Sequence, residues 1–308
     1  MRDSTLAVAL GEGTLELRRA EDGALFRAIP AHADGLLACA AAPDQTTVAT
    51  GGMDGFVRIW SASGELQHEE RLRGWVDQLA YAGNDCVLAG AGRVLASLHG
   101  GRITTRELPA AALALDAGRT RTGDKVALVA YANSVSSFDV GTLVLRDVHP
   151  FTTQIRSLRL SPSGAVAALA GQDTNLRIVR LSDGTSGPLS GYIRTPKSLS
   201  FSPDGALLAT SGLDLGVVWL LPDGTAQSAE PIIVRLDGSP TQHVAFHPAH
   251  PRLAVATQAG VYLLDARADQ GVLHHASVVG LPSTLGWSGA DVIAGTTTGQ
   301  LLAFRAES

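Results

Sequence analysis

The chain has 308 residues, is 45% hydrophobic and only 17% charged, so it can bury a large core as one all-β domain or two ordinary ones. Its net charge of −5 lacks the basic footprint of a protein that tracks a nucleic-acid backbone. Two cysteines, Cys39 and Cys86, lie far apart without CxxC spacing, which excludes a secreted disulfide framework. The opening MRDSTLAVALGEG is too short in apolar residues for a signal-peptide core, and no uncharged apolar stretch reaches a membrane span. A cytoplasmic protein with reduced thiols, bound neither to nucleic acid nor to membrane, is expected.

In chain order, apolar runs of four to seven residues recur with glycine, asparagine, aspartate or proline between them, and helical spacing rarely persists. The first unit is LAVALGEGTLELRR, Leu6 to Arg19. Next come the apolar strand LLACAA (Leu36–Ala41) and the hairpin TGGMDGFVRIW (Thr50–Trp60). CVLAGAGRVLASL (Cys86–Leu98) and VALVAYANSVSSF (Val126–Phe138) follow, the former trailed by the polar strand ITTREL (Ile103–Leu108). ALAGQDTNLRIVRL (Ala168–Leu181) comes after the turn SPSG, and LATSGLDLGVVW (Leu208–Trp219) after the turn SPDG. LAVATQAGVYLLD (Leu253–Asp265) and VIAGTTTGQLLAFR (Val292–Arg305) complete eight strand–turn–strand units. Their spacing of about 40 residues, with a strand on either side of each interior hairpin, predicts four-stranded blades. A lone meander cannot bury both of its faces, whereas stacked copies cover one another.

The order of an SPDG turn, LATSG, an aspartate and a terminal tryptophan resembles the WD40-repeat family of β-propellers, most strongly in the units ending at Trp60 and Trp219. No unit keeps a final Trp-Asp dipeptide, and only AHADG (Ala31–Gly35) approximates the family's Gly-His start. The resemblance implies one all-β propeller domain over 1–308, of four-stranded antiparallel blades. Eight blades are favoured, with seven as the alternative, because the first unit lacks an inner strand and the last lacks an outer one. The ring is expected to close between the N- and C-terminal segments, since an open edge would leave backbone groups unpaired.

The resemblance also implies a hydrogen-bonded tetrad at His32, Thr50, Asp54 and Trp60. An imidazole can chain an aspartate to a hydroxyl through its two nitrogens, and an indole N–H can close the chain. A rival reading is an Asp–His–Thr relay, but no oxyanion hole or nucleophile elbow accompanies it, so no catalytic residue is assigned. Thr210, Asp214 and Trp219 match three of the four positions in the later unit, where Tyr192 replaces the histidine. His243, His247 and His250 are close in sequence. Even so, His243 and His247 on one strand face would lie about 13 Å apart, too far to share a zinc ion. No metal and no cofactor are expected.

Aligning the innermost strands puts Gly35, Asp77, Ala111, Arg156, Lys197, Gln242 and Ser283 at equivalent places around the mouth of a propeller channel. A partner-binding face is expected at Trp75, Asp77, Arg156, Tyr192, Lys197 and Gln242, because aromatics and arginine dominate interaction hot spots. The expected function is a non-enzymatic scaffold, monomeric on its own, that binds a protein partner through that face. The alternative is a small-molecule or metal-binding propeller serving metal homeostasis.

Overall fold

A computed structural model describes residues 5–120, 122–221, 230–268 and 271–305. The chain folds as two compact units, Met1–Ile155 and Arg156–Ser308. Among the described residues there is no helix; every regular element is a strand, each paired antiparallel within its own sheet.

In the first unit, sheet 1 holds β1 (Thr5–Ala9), β2 (Thr14–Arg19) and β3 (Leu25–Pro30). Sheet 2 holds β4 (Leu36–Ala41), β5 (Thr47–Gly52), β6 (Phe56–Ser61) and β7 (Leu66–Arg71). Sheet 3 holds β8 (Val76–Tyr81), β9 (Cys86–Ala91), β10 (Val94–His99) and β11 (Arg102–Glu107). Sheet 4 holds β12 (Ala112–Arg119), β13 (Lys125–Tyr131), β14 (Ser134–Asp139) and β15 (Leu145–Pro150).

In the second unit, sheet 5 holds β16 (Ile155–Leu160), β17 (Val166–Gly171), β18 (Leu176–Arg180) and β19 (Ser186–Leu189). Sheet 6 holds β20 (Leu199–Phe201), β21 (Leu207–Thr210), β22 (Gly216–Leu220) and β23 (Glu230–Val234). Sheet 7 holds β24 (Thr241–Phe246), β25 (Arg252–Thr257), β26 (Gly260–Asp265) and β27 (Val272–Ser277). Sheet 8 holds β28 (Pro282–Ser288), β29 (Asp291–Thr296) and β30 (Leu301–Arg305). Strand order within every sheet follows the chain, so each is a simple meander. The shortened sheets are the first and the last, the two units that lacked a strand in the sequence. The expected joining of the terminal segments involves residues outside those described.

Within each unit the core lies between successive sheets. In the first unit, Leu88 and Leu95 of sheet 3 pack with Leu115, Val129 and Phe138 of sheet 4. In the second, Leu207 and Val218 of sheet 6 pack with Val255 and Leu264 of sheet 7. Second strands are therefore covered on both faces: β9 (CVLAGA) and β17 (VAALAG) are buried at every residue. This explains their nearly continuous small apolar runs, since no face needs a polar residue. Outermost strands alternate less and stay exposed, as in β3, β15 and β27. β1, at the edge of its sheet among the described residues, is only half-buried throughout.

Candidate functional site

The hairpin β5–β6 shows how TGGMDGFVRIW is used. Thr50 lies opposite Arg58, and Trp60 is two residues further on the same face, within diagonal reach. The Trp60 indole N–H donates to Thr50 Oγ1 at 2.9 Å. Thr50 Oγ1 and His32 Nε2 are 2.9 Å apart, and His32 Nδ1 stands 2.8 Å from Asp54 Oδ1. The four residues thus form one chain of hydrogen bonds, with Thr50 donating to the imidazole and the imidazole donating to the carboxylate. Arg58 adds an ion pair to Asp54 Oδ2 at 2.8 Å and donates to the Ala31 carbonyl. Burial pushes the His32 imidazole below its ordinary pKa, and the favourable Asp54 contact does not restore it. Burial opposes ionisation of Asp54, but the bonds from Arg58 and His32 outweigh it and hold the carboxyl below its usual range.

Gly52 makes room for this network, and Gly51 makes room for Val76 of sheet 3. A Cβ on Gly51 would approach Val76 Cγ1 to 2.6 Å, and one on Gly52 would collide with the His32 ring.

Other sheets close differently. In sheet 6 the tyrosine at the histidine position is buried, so Tyr192 is not part of an exposed face as expected from the sequence. Its hydroxyl accepts from the Trp219 indole N–H at 2.6 Å and pairs with Thr210 Oγ1 at 2.6 Å. A phenol has one polar atom where an imidazole has two, and that atom is spent on Thr210 and Trp219. Asp214 is therefore left out of the network and pairs with exposed Arg194 at 2.9 Å. In sheet 7, Asp237 precedes β24 and accepts from Thr257 Oγ1 at 2.6 Å and from the Tyr262 hydroxyl at 2.9 Å. Burial and the Asp237 carboxylate push the Tyr262 phenol up to about 12, while its ring stacks on His275 at 4.3 Å. Nothing in the residue types matched the repeat there, so the sequence did not disclose that network.

The remaining surface residues can be placed within each unit. Trp75 and Asp77 are exposed in the first unit, at and just inside the start of β8. In the second unit Arg156 and Lys197 are exposed; the Arg156 guanidinium reaches Gln172 Oε1 at 3.4 Å, and Gln242 is half-buried. Five inner strands carry a β-bulge that the sequence alignment missed. The pairings skip Leu37, Asp77 and Leu113 in the first unit, and Gln242 and Ser283 in the second. A bulge leaves one residue out of the ladder and re-aims its side chain. Leu37 and Leu113, rather than Gly35 and Ala111, are thus the structural equivalents of Asp77.

His247 is buried, with Nδ1 accepting from the Ala249 and His250 N–H groups and Nε2 at 3.0 Å from the Gly289 carbonyl. It is a turn organiser. Among the described residues no group of three or more His, Cys, Asp or Glu side chains is arranged to hold a metal ion.

Beside the tetrad of sheet 2 lies a cleft of about 490 Å³, lined by Met53, Asp54, Gly55, Arg71, Leu72, Arg73, Gly74 and Trp75. Trp75 is 61% exposed and Met53 37%.

The repeated meander and its intersheet cores define the class: the chain has the eight-bladed β-propeller fold. It superposes on the crystal structure of the computationally designed Ika8 protein with a TM-score of 0.81 and 16% sequence identity, over 99% of this chain and 94% of that one. Residues 23–61 match the family model described as "WD domain, G-beta repeat", which spans the tetrad hairpin. Residues 23–61 are thus similar to a single WD40 repeat, set within a β-propeller fold. No curated protein sequence matches it.

Proposed function

We propose that the protein is a non-enzymatic scaffold that binds a partner protein through the cleft beside Trp75. The observation that carries this reading is the Trp75 indole, 61% exposed at the rim of a cleft of about 490 Å³. A large aromatic held on a stiff rim supplies contact area while losing little conformational entropy on binding. The rim is stiff for identifiable reasons. The Leu72 N–H donates to the Gly55 carbonyl at 2.8 Å, and the Met53 N–H to the Gly35 carbonyl at 3.0 Å. The Asp54 turn is tied to the buried imidazole behind it.

Affinity capture from the native host, read by mass spectrometry, tests this. Trp75→Ala is expected to lose a discrete set of proteins that wild type retains, with an unchanged unfolding temperature because the side chain is exposed. Retention of the same set overturns the reading. Arg156→Ala and Lys197→Ala, tested separately, report whether the exposed cations of the second unit add to capture.

A further inference from the structure

We infer that the Trp75 cleft takes an extended acidic segment of the partner, with an apolar side chain seated against Trp75 and Met53 and carboxylates on Arg71 and Arg73. The inference rests on the scaffold reading of that cleft and adds the chemistry of what it holds.

The charge of the lining carries the argument. Elsewhere in the first unit many guanidinium groups are already committed: Arg18 to Glu16, Arg58 to Asp54 and Glu69, Arg93 to Glu107, and Arg146 to Asp139. Arg71 and Arg73 are exposed and carry no ion pair among the described residues; Arg71 merely lies over the Phe56 ring, 5.6 Å from its centroid. The one carboxylate in the lining, Asp54, is saturated. Its Oδ1 faces His32 Nδ1 and the Phe56 N–H, and its Oδ2 faces Arg58. The cleft is therefore locally positive on a chain whose net charge is −5.

Shape adds the second requirement. About 490 Å³ is the size of an ordinary ligand pocket, enough for one large side chain and its backbone. Its apolar wall is Trp75, Met53 and Leu72, which suits an aliphatic or aromatic anchor. The floor is preformed: Gly55 and Gly74 sit at φ +79° and +108°, and a Cβ on Gly55 would meet the Leu72 carbonyl at 2.9 Å. A preformed groove with unspent guanidinium groups selects acidic flanks through orientation and encounter rate more than through raw affinity.

The test pans a displayed library of random peptides about a dozen residues long against full-length wild type, Trp75→Ala and Arg71→Glu/Arg73→Glu. Wild type is expected to enrich sequences with Asp and Glu flanking an apolar residue. A synthetic copy of the most enriched peptide should bind about tenfold or more weakly to the double variant, and more weakly to wild type as salt rises. The double variant should in turn enrich basic peptides. Arg73→Glu alone serves if the double variant unfolds. An absent acidic bias, no enriched sequence, or a bias that Arg71→Glu/Arg73→Glu leaves unchanged overturns the inference. So does a single-stranded DNA oligonucleotide that binds with the same dependence on both arginines. If Trp75→Ala still loses its captured proteins while the charge reversal changes nothing, the scaffold reading stands and the acidic partner falls. If capture is indifferent to Trp75→Ala, the scaffold reading falls first.

Discussion

Thr50 Oγ1 takes the Trp60 N–H and gives its own proton to His32, so a single hydroxyl joins two large buried rings. Such a network is stable only while every member is satisfied, because an unpaired polar group in a dry interior costs about 1–3 kcal/mol. The histidine gives this staple a pH dependence. Burial lowers the His32 pKa below 6.5, and burial does the same for His243 and His247. The unfolded chain therefore binds protons first as pH falls below 6.5, and stability drops in that window. Carboxylates act later: Asp85, Asp139 and Asp173, held at about 2 in the folded state, lose their contribution only below 3.8. Thermal unfolding followed as pH falls from neutral should show the first decline. His32→Gln, less stable at neutral pH, should show a shallower one. An unchanged slope in His32→Gln would mean that the imidazole does not govern that decline.

Within an element, two irregularities matter as much as the regular pairing. Five inner strands bulge at their second residue, and this turns Asp77 and Gln242 out of the ladder. Outer strands bulge too, at Phe26 in β3, Gln67 in β7 and Leu273 in β27, where a twisted edge resists pairing with another chain. Glycine placement is the other local constraint. Gly51 in β5 faces Val76 of the next sheet, and a methyl group there would come within 2.7 Å of the Val76 carbonyl as well as 2.6 Å of its side chain. A backbone oxygen cannot rotate away. Gly51→Ala is expected to cost about 1–3 kcal/mol, the range for an overpacked core. Chemical unfolding measures it, and Val76→Ala in the same chain should recover only part of the loss. Full recovery would show that the side chain, and not the backbone, sets the spacing.

At the scale of the molecule, each unit is held by cores that lie between sheets, so no sheet owns its interior. Leu88 in β9 illustrates this: it is fully buried on a second strand, in a cluster shared with sheet 4. Leu88→Ala is expected to cost about 2–5 kcal/mol, the range for a leucine removed from a packed core. Because neighbouring repeats stabilise one another, amide exchange should accelerate in β13 of sheet 4 as well as in β9. Acceleration confined to β9 would mean that sheet 3 keeps its stability to itself.

The period of the apolar runs and the turns between them were legible from the amino acids alone, and the four tetrad positions from the resemblance to the WD40-repeat family. Period and turns depend on spacing along one stretch of chain, and a repeated wedge must alternate strand and turn in the same order every time. That reading covered the eight sheets, their antiparallel character, and the His32, Thr50, Asp54 and Trp60 set. Tertiary structure decided what no local pattern encodes. A tyrosine reads the same whether it faces water or a neighbour's threonine, and only the approach of Thr210 and Trp219 turned Tyr192 inward. A bulge adds a residue without a signature, so Leu37 and Leu113 emerged only from strand pairing. The cleft joins Met53, from one turn, to Arg71, Arg73 and Trp75, some twenty residues further along, and its charge depends on Asp54 being spent on Arg58 and His32. Distances between side chains from different elements are properties of packing, and packing is settled when the sheets meet.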